Sequence, residues 1–198
     1  MCTQIHPSLR SRSQHGASLI MVMLILVVVS LLGVGGAQIA VMSERGARSD
    51  RDHQVAWQAA EAALSDAEFD LIDSTSTRKA TVPFDGKTPF AITAGCGTSG
   101  TSVGLCALTL TGHPAWLDAD YTDTSASAPT TKFGTFTSRT FAAGSVGIQP
   151  AQAPRYVMEM VADPNGDKSN PEFLYRVTAV GFGPRVDIQV MLQMLYRI

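Results

Sequence analysis

Apolar and polar positions divide the chain into stretches of different periodicity. From Ala17 to Met42 there are 26 residues without a charge, and Ser18, Ser30 and Gln38 are the only polar side chains among them. As a helix this run would measure roughly 39 Å, more than the roughly 30 Å hydrocarbon core of a bilayer. It also exceeds the apolar region of a removable secretory signal, about 7–15 residues. The run therefore predicts a spanning helix. Beyond Met42 the chain stays rich in helix formers and free of proline, and Val55, Ala59, Ala62 or Ala63, Phe69 and Ile72 recur near helical spacing. One helix is predicted from about Ala17 to Ile72, apolar on all sides in its first half and amphipathic in its second. Glu61, Asp66, Glu68 and Asp70 are assigned to its solvated face, and Trp57 to a buried contact with a sheet formed by the later part of the chain. The Gly33, Gly35 and Gly36 cluster is either a place where the helix weakens or a surface for close helix approach within lipid.

After Ile72 the periodicity shortens. Candidate strands fall at Ala107–Leu110, Thr135–Phe141, Pro154–Val161, Leu174–Val180 and Val186–Tyr196. The last alternates Val186, Ile188, Val190, Leu192 and Met194 with mostly polar partners, and the GFGPR turn from Gly181 to Arg185 makes the final two a hairpin. Long Ser/Thr/Gly-rich loops at residues 73–79, 95–104 and 122–132 separate the rest. The amphipathic half of the helix is expected to lie on an antiparallel sheet, an α+β fold. The expected organisation is a leader over 1–16, the apolar half-helix over 17–42, the amphipathic half over 43–72 and an α+β head over 73–198.

Charge and cysteine usage refine this picture. Of 15 basic and 17 acidic residues, Arg10 and Arg12 precede the apolar run, which leaves 13 basic against 17 acidic beyond it. Only Lys79, Lys87 and Lys132 are lysines, and no basic stripe forms, so nucleic acid is not an expected partner. Arg10 and Arg12 put the start of the chain in the cytoplasm and the remainder across the membrane. In that oxidising compartment Cys96 and Cys106, in the loop GCGTSGTSVGLC, are read as a disulfide. No second cysteine or histidine pair completes a tetrahedral metal set, and His113 is read as a turn residue. Asp163, Asn165 and Asp167 alternate as the first oxygen ligands of a calcium loop do, but the twelfth position is Leu174 rather than a bidentate acid, and a β-turn is preferred. There is no Walker A or HExxH motif, and neither an enzyme nor a cofactor is expected. Trp116 is assigned to the core edge beside the disulfide loop.

A short basic leader ending at Gly16, then Ala17 and a long apolar helix continuing into a head, resembles a type IV prepilin. GASLIMVMLILVVVSLLGVGG followed by QAAEAAL resembles the PilX-type minor pilins, as do PRYVMEM, YRVTAVGFG and the closing VMLQMLYRI. The resemblance implies cleavage between Gly16 and Ala17 by prepilin peptidase, and N-methylation of Ala17. It also implies residence as a single-pass inner-membrane protein with a periplasmic head, followed by passage into the pilus tip. Implied partners are membrane lipid, other minor pilins, the major pilin, the inner-membrane assembly platform and a tip adhesin. Met21 occupies the fifth mature position, where most pilins carry a glutamate that pairs with a neighbouring subunit's amino terminus. In pilin-like systems its loss goes with the subunit that starts assembly. Alternatives are a tip pseudopilin of type II secretion, or a single-span protein with a periplasmic domain.

Overall fold

The computed structural model describes residues 17–109, 112–144, 146–164, 166 and 172–198. It divides into two compact units, one ending at Arg48 and one spanning Ser49–Ile198. Helix α1 runs unbroken from Ala17 to Ile72, through the glycine cluster. It ends where Asp73 turns the chain: the Asp73 Oδ1 accepts the backbone N–H and hydroxyl of Thr75 at 2.8 and 2.9 Å. The Lys79 ammonium also donates to the Ile72 carbonyl at 2.7 Å, serving one of the orphan acceptors of the last turn.

The second unit is built on a four-stranded antiparallel sheet in the order β1 (Thr131–Lys132), β2 (Arg155–Ala162), β3 (Phe173–Phe182) and β4 (Gln189–Tyr196). The face of α1 that meets it is made of small residues. Ala56, Ala59, Ala60, Ala63 and Ala67 are at most 1% exposed, ending at Leu71. The alanines let the helix come down onto backbone. A Cβ on Gly181 of β3 would meet the Ala56 carbonyl oxygen at 2.1 Å and the Ala60 nitrogen at 2.2 Å. Farther along, Ala63, Ala67 and Leu71 close over Tyr156, Met158, Met160, Tyr175 and Val177, joined by the loop aromatics Phe84 and Phe90. The Phe84, Phe90 and Tyr175 rings pack with centroids 5.7–6.0 Å apart. The opposite sheet face, through Val157, Val180 and Phe182, is covered by Cys106, Ala115 and Tyr121. Both faces of β2 are thus buried, which is why RYVMEMV alternates imperfectly.

Several local expectations are corrected. Phe69 and Ile72 are exposed, whereas Asp66 and Asp70, expected in solvent, are wholly buried on the alanine face. Trp57 is 47% exposed and donates its indole N–H to Glu61 at 2.8 Å along the helix. Thr135–Phe141 is not a strand: Gly134 and Ser138 adopt φ of 77° and 57°, and the segment turns around Asp66. That carboxylate accepts the Gly134 N–H at 2.7 Å and the Thr137 hydroxyl at 2.5 Å. Ala107–Thr109 is also not a strand; pairing with β2 occurs just before it, at Leu105 opposite Met158. Leu110 lies outside the described residues. The final hairpin turns later than GFGPR implies, because Gly183 donates to the Ile188 carbonyl at 2.8 Å and leaves Val186 and Ile188 in the turn.

Gly181→Val should therefore lower head stability by about 3 kcal/mol, the upper end for overpacking, because the clashing atoms are helix backbone. Urea unfolding of the full chain in detergent, followed by near-UV circular dichroism, measures this; a loss below about 0.5 kcal/mol, as at an ordinary surface site, would contradict the close approach.

Candidate functional site

Two features carry the chemistry that the fold makes available: the uncovered apolar half of α1, and the disulfide-closed loop that docks on β2. In the first, every large apolar side chain from Leu19 to Met42 is exposed, between 46% and 72%. Ser30 is the one hydroxyl in the middle of this run, and it donates to the Leu26 carbonyl at 2.7 Å, so its polar group is satisfied within the helix. No apolar stripe is distinguished from a polar one; the surface calls for an apolar surround on all sides. The long apolar N-terminal helix fits a single-pass membrane anchor. Met21 lies within this surface, 69% exposed and without a charge. Ala17 is the first residue of α1, while Gly16 and the leader lie outside the described residues. A Cβ on Gly33, Gly35 or Gly36 would meet nothing within 4 Å, so that stretch of helix is free for close approach by another helix.

In the second feature, Cys96 and Cys106 are joined by a disulfide, with Cα atoms 3.9 Å apart. Inside the ring the chain closes on itself: Gly97 donates to Leu105 at 2.8 Å and Gly104 donates to Gly97 at 3.0 Å. Two glycines are required here. A Cβ on Gly97 would lie 2.2 Å from the Ser102 carbonyl oxygen. Gly104 has a φ of 72°, and a Cβ there would lie 2.2 Å from the Thr131 hydroxyl. The ring is locked to β2 by Cys106 N–H to the Met158 carbonyl at 2.8 Å and Met158 N–H to the Gly104 carbonyl at 2.7 Å. Trp116 packs beside it, in the cluster that contains Cys106.

The ring also supplies an acceptor to the centre of the head. Arg78, wholly buried, donates through Nη2 to the Val103 carbonyl at 2.7 Å and to the Thr131 hydroxyl at 3.1 Å. Its Nη1 lies 3.3 Å from the Asp70 carboxylate, and its Cζ sits 3.7 Å over the Phe136 ring. Asp70 in turn accepts from Ser76 at 2.6 Å and from the Tyr156 hydroxyl at 3.1 Å. Burial pushes the Tyr156 phenol well above its ordinary value, and the Asp70 carboxylate adds to the shift. Burial likewise draws Arg78 down, opposed by Asp70, and raises the Asp66 carboxyl against the hydrogen bonds from Thr137 and Gly134. On the other sheet face Glu159, 1% exposed, is held by Arg176 at 2.6 Å.

Sequence reasoning missed this network, although a signal was present. Asp66 and Asp70 are spaced i, i+4 and fall on the same helical face as Ala59, Ala63 and Ala67, so helical spacing alone puts both acids inward. Of the calcium-loop residues, Asn165 and Asp167 lie outside the described residues; Asp163 is ion-paired with Arg197 and begins a turn closed by Gly166 N–H to its carbonyl at 3.1 Å. His113 lies 3.4 Å from Asp118, both exposed. Among the described residues no group of three or more His, Cys, Asp or Glu side chains is placed to hold a metal ion.

Two family models match the chain: PilX N-terminal over residues 15–65, and type IV pilus assembly protein PilX C-term over residues 47–198. No curated protein and no solved structure matches it.

Replacing Cys96 and Cys106 together by serine should cost about 3 kcal/mol of head stability by the loop-closure model, read as a lowered urea midpoint. In exported protein the intact mass should gain two hydrogens only after reduction. Labelling of both thiols before reduction would refute the bond.

Proposed function

The chain belongs to the PilX-type minor pilins of the type IV pilus, and from that membership we propose that it is made as a prepilin and serves in the minor-pilin complex that primes assembly at the tip. Prepilin peptidase cuts between Gly16 and Ala17, and Ala17 becomes the N-methylated first residue. The leader stays in the cytoplasm, and the head is periplasmic until the subunit enters the filament and reaches the cell surface. Membership in this family carries with it interaction with other pilus components, and the family is a structural one rather than an enzyme family.

The observation that carries the reading is the α1 surface from Leu19 to Met42, exposed all round in the isolated chain. Lipid covers such a surface before assembly, and neighbouring subunits' helices cover it afterwards; a single apolar stripe would serve only one of these surroundings. Met21 then sets the position in the filament. A subunit added below another places a carboxylate at this position against the amino terminus above it. A first subunit has no amine above, and an acid there would stand unpaired in an apolar surround at a cost of about 3 kcal/mol. Methionine carries no such cost. The partners proposed are the other minor pilins, the major pilin, the assembly platform and a tip adhesin, with adhesion or aggregation as the role of the exposed head.

Co-expression with prepilin peptidase should remove Met1–Gly16 and add one methyl group to the mature mass, and Gly16→Val should abolish both changes. An unprocessed chain, or cleavage near Ala40, would overturn the prepilin reading. For the tip role, gene deletion and Met21→Glu should each lower the number of filaments per cell. Filament numbers unchanged in both strains would leave the priming role without support.

A further inference from the structure

The two edges of the sheet differ in what protects them. β1 is two residues long and ends at Lys132, and a short, charged edge resists an added strand. β4, at the other edge, is eight residues long, QVMLQMLY, with no charge, no proline and no glycine. Its backbone directions follow from the hairpin. Gly183 N–H donates to the Ile188 carbonyl at 2.8 Å, so antiparallel alternation makes Gly181–Val190, Ala179–Leu192 and Val177–Met194 the hydrogen-bonded pairs. The bonds that Met158 makes away from β3, with Gly104 and Cys106, require the same alternation from the β2 side. Met191, Gln193 and Leu195 therefore turn their N–H and C=O groups outward, and none of these groups has a partner among the described residues.

The side chains continue the opening. Met191 and Leu195 stand 46% and 63% exposed on the sheet face away from α1, on either side of Gln193, whose amide donates to the Thr178 hydroxyl at 2.8 Å. On the α1 face Val190, Leu192 and Met194 are half-buried, and the edge borders a hollow of about 510 Å³ lined by Asp50, His53, Gln54, Trp57 and Val190. This strand is complementary to itself. Laid antiparallel to a copy about a twofold axis through Gln193, it sets Met191 against Leu195 and Gln193 against Gln193 on one face. On the other face it sets Leu192 against Met194, and Val190 against Tyr196 at the mouth of the hollow. A slide of the axis by one residue either way opposes Met191 or Leu195 to Gln193, so apolar side chains fix the register. The helices leave room for this pairing. α1 touches β3 at Gly181, one strand in from the edge, which puts the two contacts at least about 14 Å apart, three strand spacings. Packed helices need only roughly 8–10 Å.

We propose that the β4 edge docks a second copy of this chain, strand against strand, so that one antiparallel sheet continues across both heads. The outward N–H and C=O groups of Met191, Gln193 and Leu195 make the ladder between the copies. Met191 and Leu195 of each copy cover Leu195 and Met191 of the other, and Gln193 marks the axis.

The test is position-specific cross-linking of the full-length chain in a neutral detergent, with Cys2→Ser to remove the one cysteine outside the Cys96–Cys106 disulfide. With Gln193 on the axis, the Cα atoms of its two copies stand about 5.5 Å apart, within disulfide reach. The two copies of Gln189 stand roughly 27 Å apart, eight residues along the ladder. Mild oxidation with copper phenanthroline should convert Gln193→Cys to a dimer on a non-reducing gel, and Gln189→Cys should yield at least about fivefold less. Adding Leu195→Lys or Met191→Lys to Gln193→Cys should lower the dimer at least about fivefold, because a charge then faces the seam. The urea midpoint should stay unchanged in both, since these side chains are exposed in the single chain; that separates a lost contact from a damaged fold. No dimer from Gln193→Cys, equal cross-linking at positions 189 and 193, or a yield untouched by both lysine variants would overturn the proposal. A cross-link formed only to another pilus protein co-expressed with this chain would give the edge to a different occupant and overturn it too.

Discussion

The head depends on one buried ion pair. Asp70 comes from the last turn of α1 and Arg78 from the segment just after it, and both side chains are wholly out of water. Transfer of two such charges from water is costly, and it is offset as their remaining donors and acceptors are engaged. Here Asp70 draws in Ser76 and Tyr156, while Arg78 draws in Val103 and Thr131 and lies over Phe136, with its Nε left without a hydrogen-bond partner among the described residues. The consequence is topological. Helix end, post-helix turn, disulfide ring, β1 and β2 all converge on two side chains, although Asp70 and Tyr156 are 86 residues apart in the chain. A head with strands of only 2 to 10 residues and long loops gains its definition from such a centre, because its loops offer few large apolar groups to fix them.

The same constraint accounts for the disulfide and the glycines around it. The ring holds the Val103 carbonyl where Arg78 needs it, and Gly104 lets the ring approach Thr131, which itself donates to Val103 at 2.8 Å. On the helix side of the sheet, Gly181 and the alanine face bring α1 onto β3 at backbone contact, which places Asp66 and Asp70 inside rather than above the head. Small residues and buried acids are therefore one arrangement. Alanine supplies little apolar area, and the charge network supplies the specificity that a larger side chain would otherwise give by shape.

The α+β architecture, the helix bounds and the last two long strands are legible in the sequence, because continuous apolarity and period-2 alternation survive without knowledge of partners. Val190, Leu192 and Met194 alternate as expected on β4, with Gln189, Met191, Gln193 and Leu195 outward. The departures from expectation share a cause. Chemical type sends Asp66 and Asp70 to solvent, while their helical spacing sends them inward, and in the folded head the spacing prevails. Chemical type likewise sends Phe69, Ile72 and Trp57 to the core, and all three stand exposed. Arg139 stacks on Phe69 from a distant loop, its Cζ 4.6 Å from the ring centre. Strand-like composition at Thr135–Phe141 is overridden because Asp66 offers the Gly134 and Thr137 donors a carboxylate. Nothing local in the sequence announces that offer. The apolar run is readable directly, since an uncovered surface needs no tertiary partner to be recognised.

The measurement that bears most directly on the role of the buried pair is a double-mutant cycle, with Asp70→Leu, Arg78→Met and the double variant compared by urea unfolding of the full chain. Each single change is predicted to cost about 3–5 kcal/mol, because it strands its partner's charge in the core. The double variant is predicted to lose at least about 2 kcal/mol less than the sum of the two, folding even where a single variant does not. Additive losses, or single losses below about 1 kcal/mol, would contradict the claim that this pair organises the head.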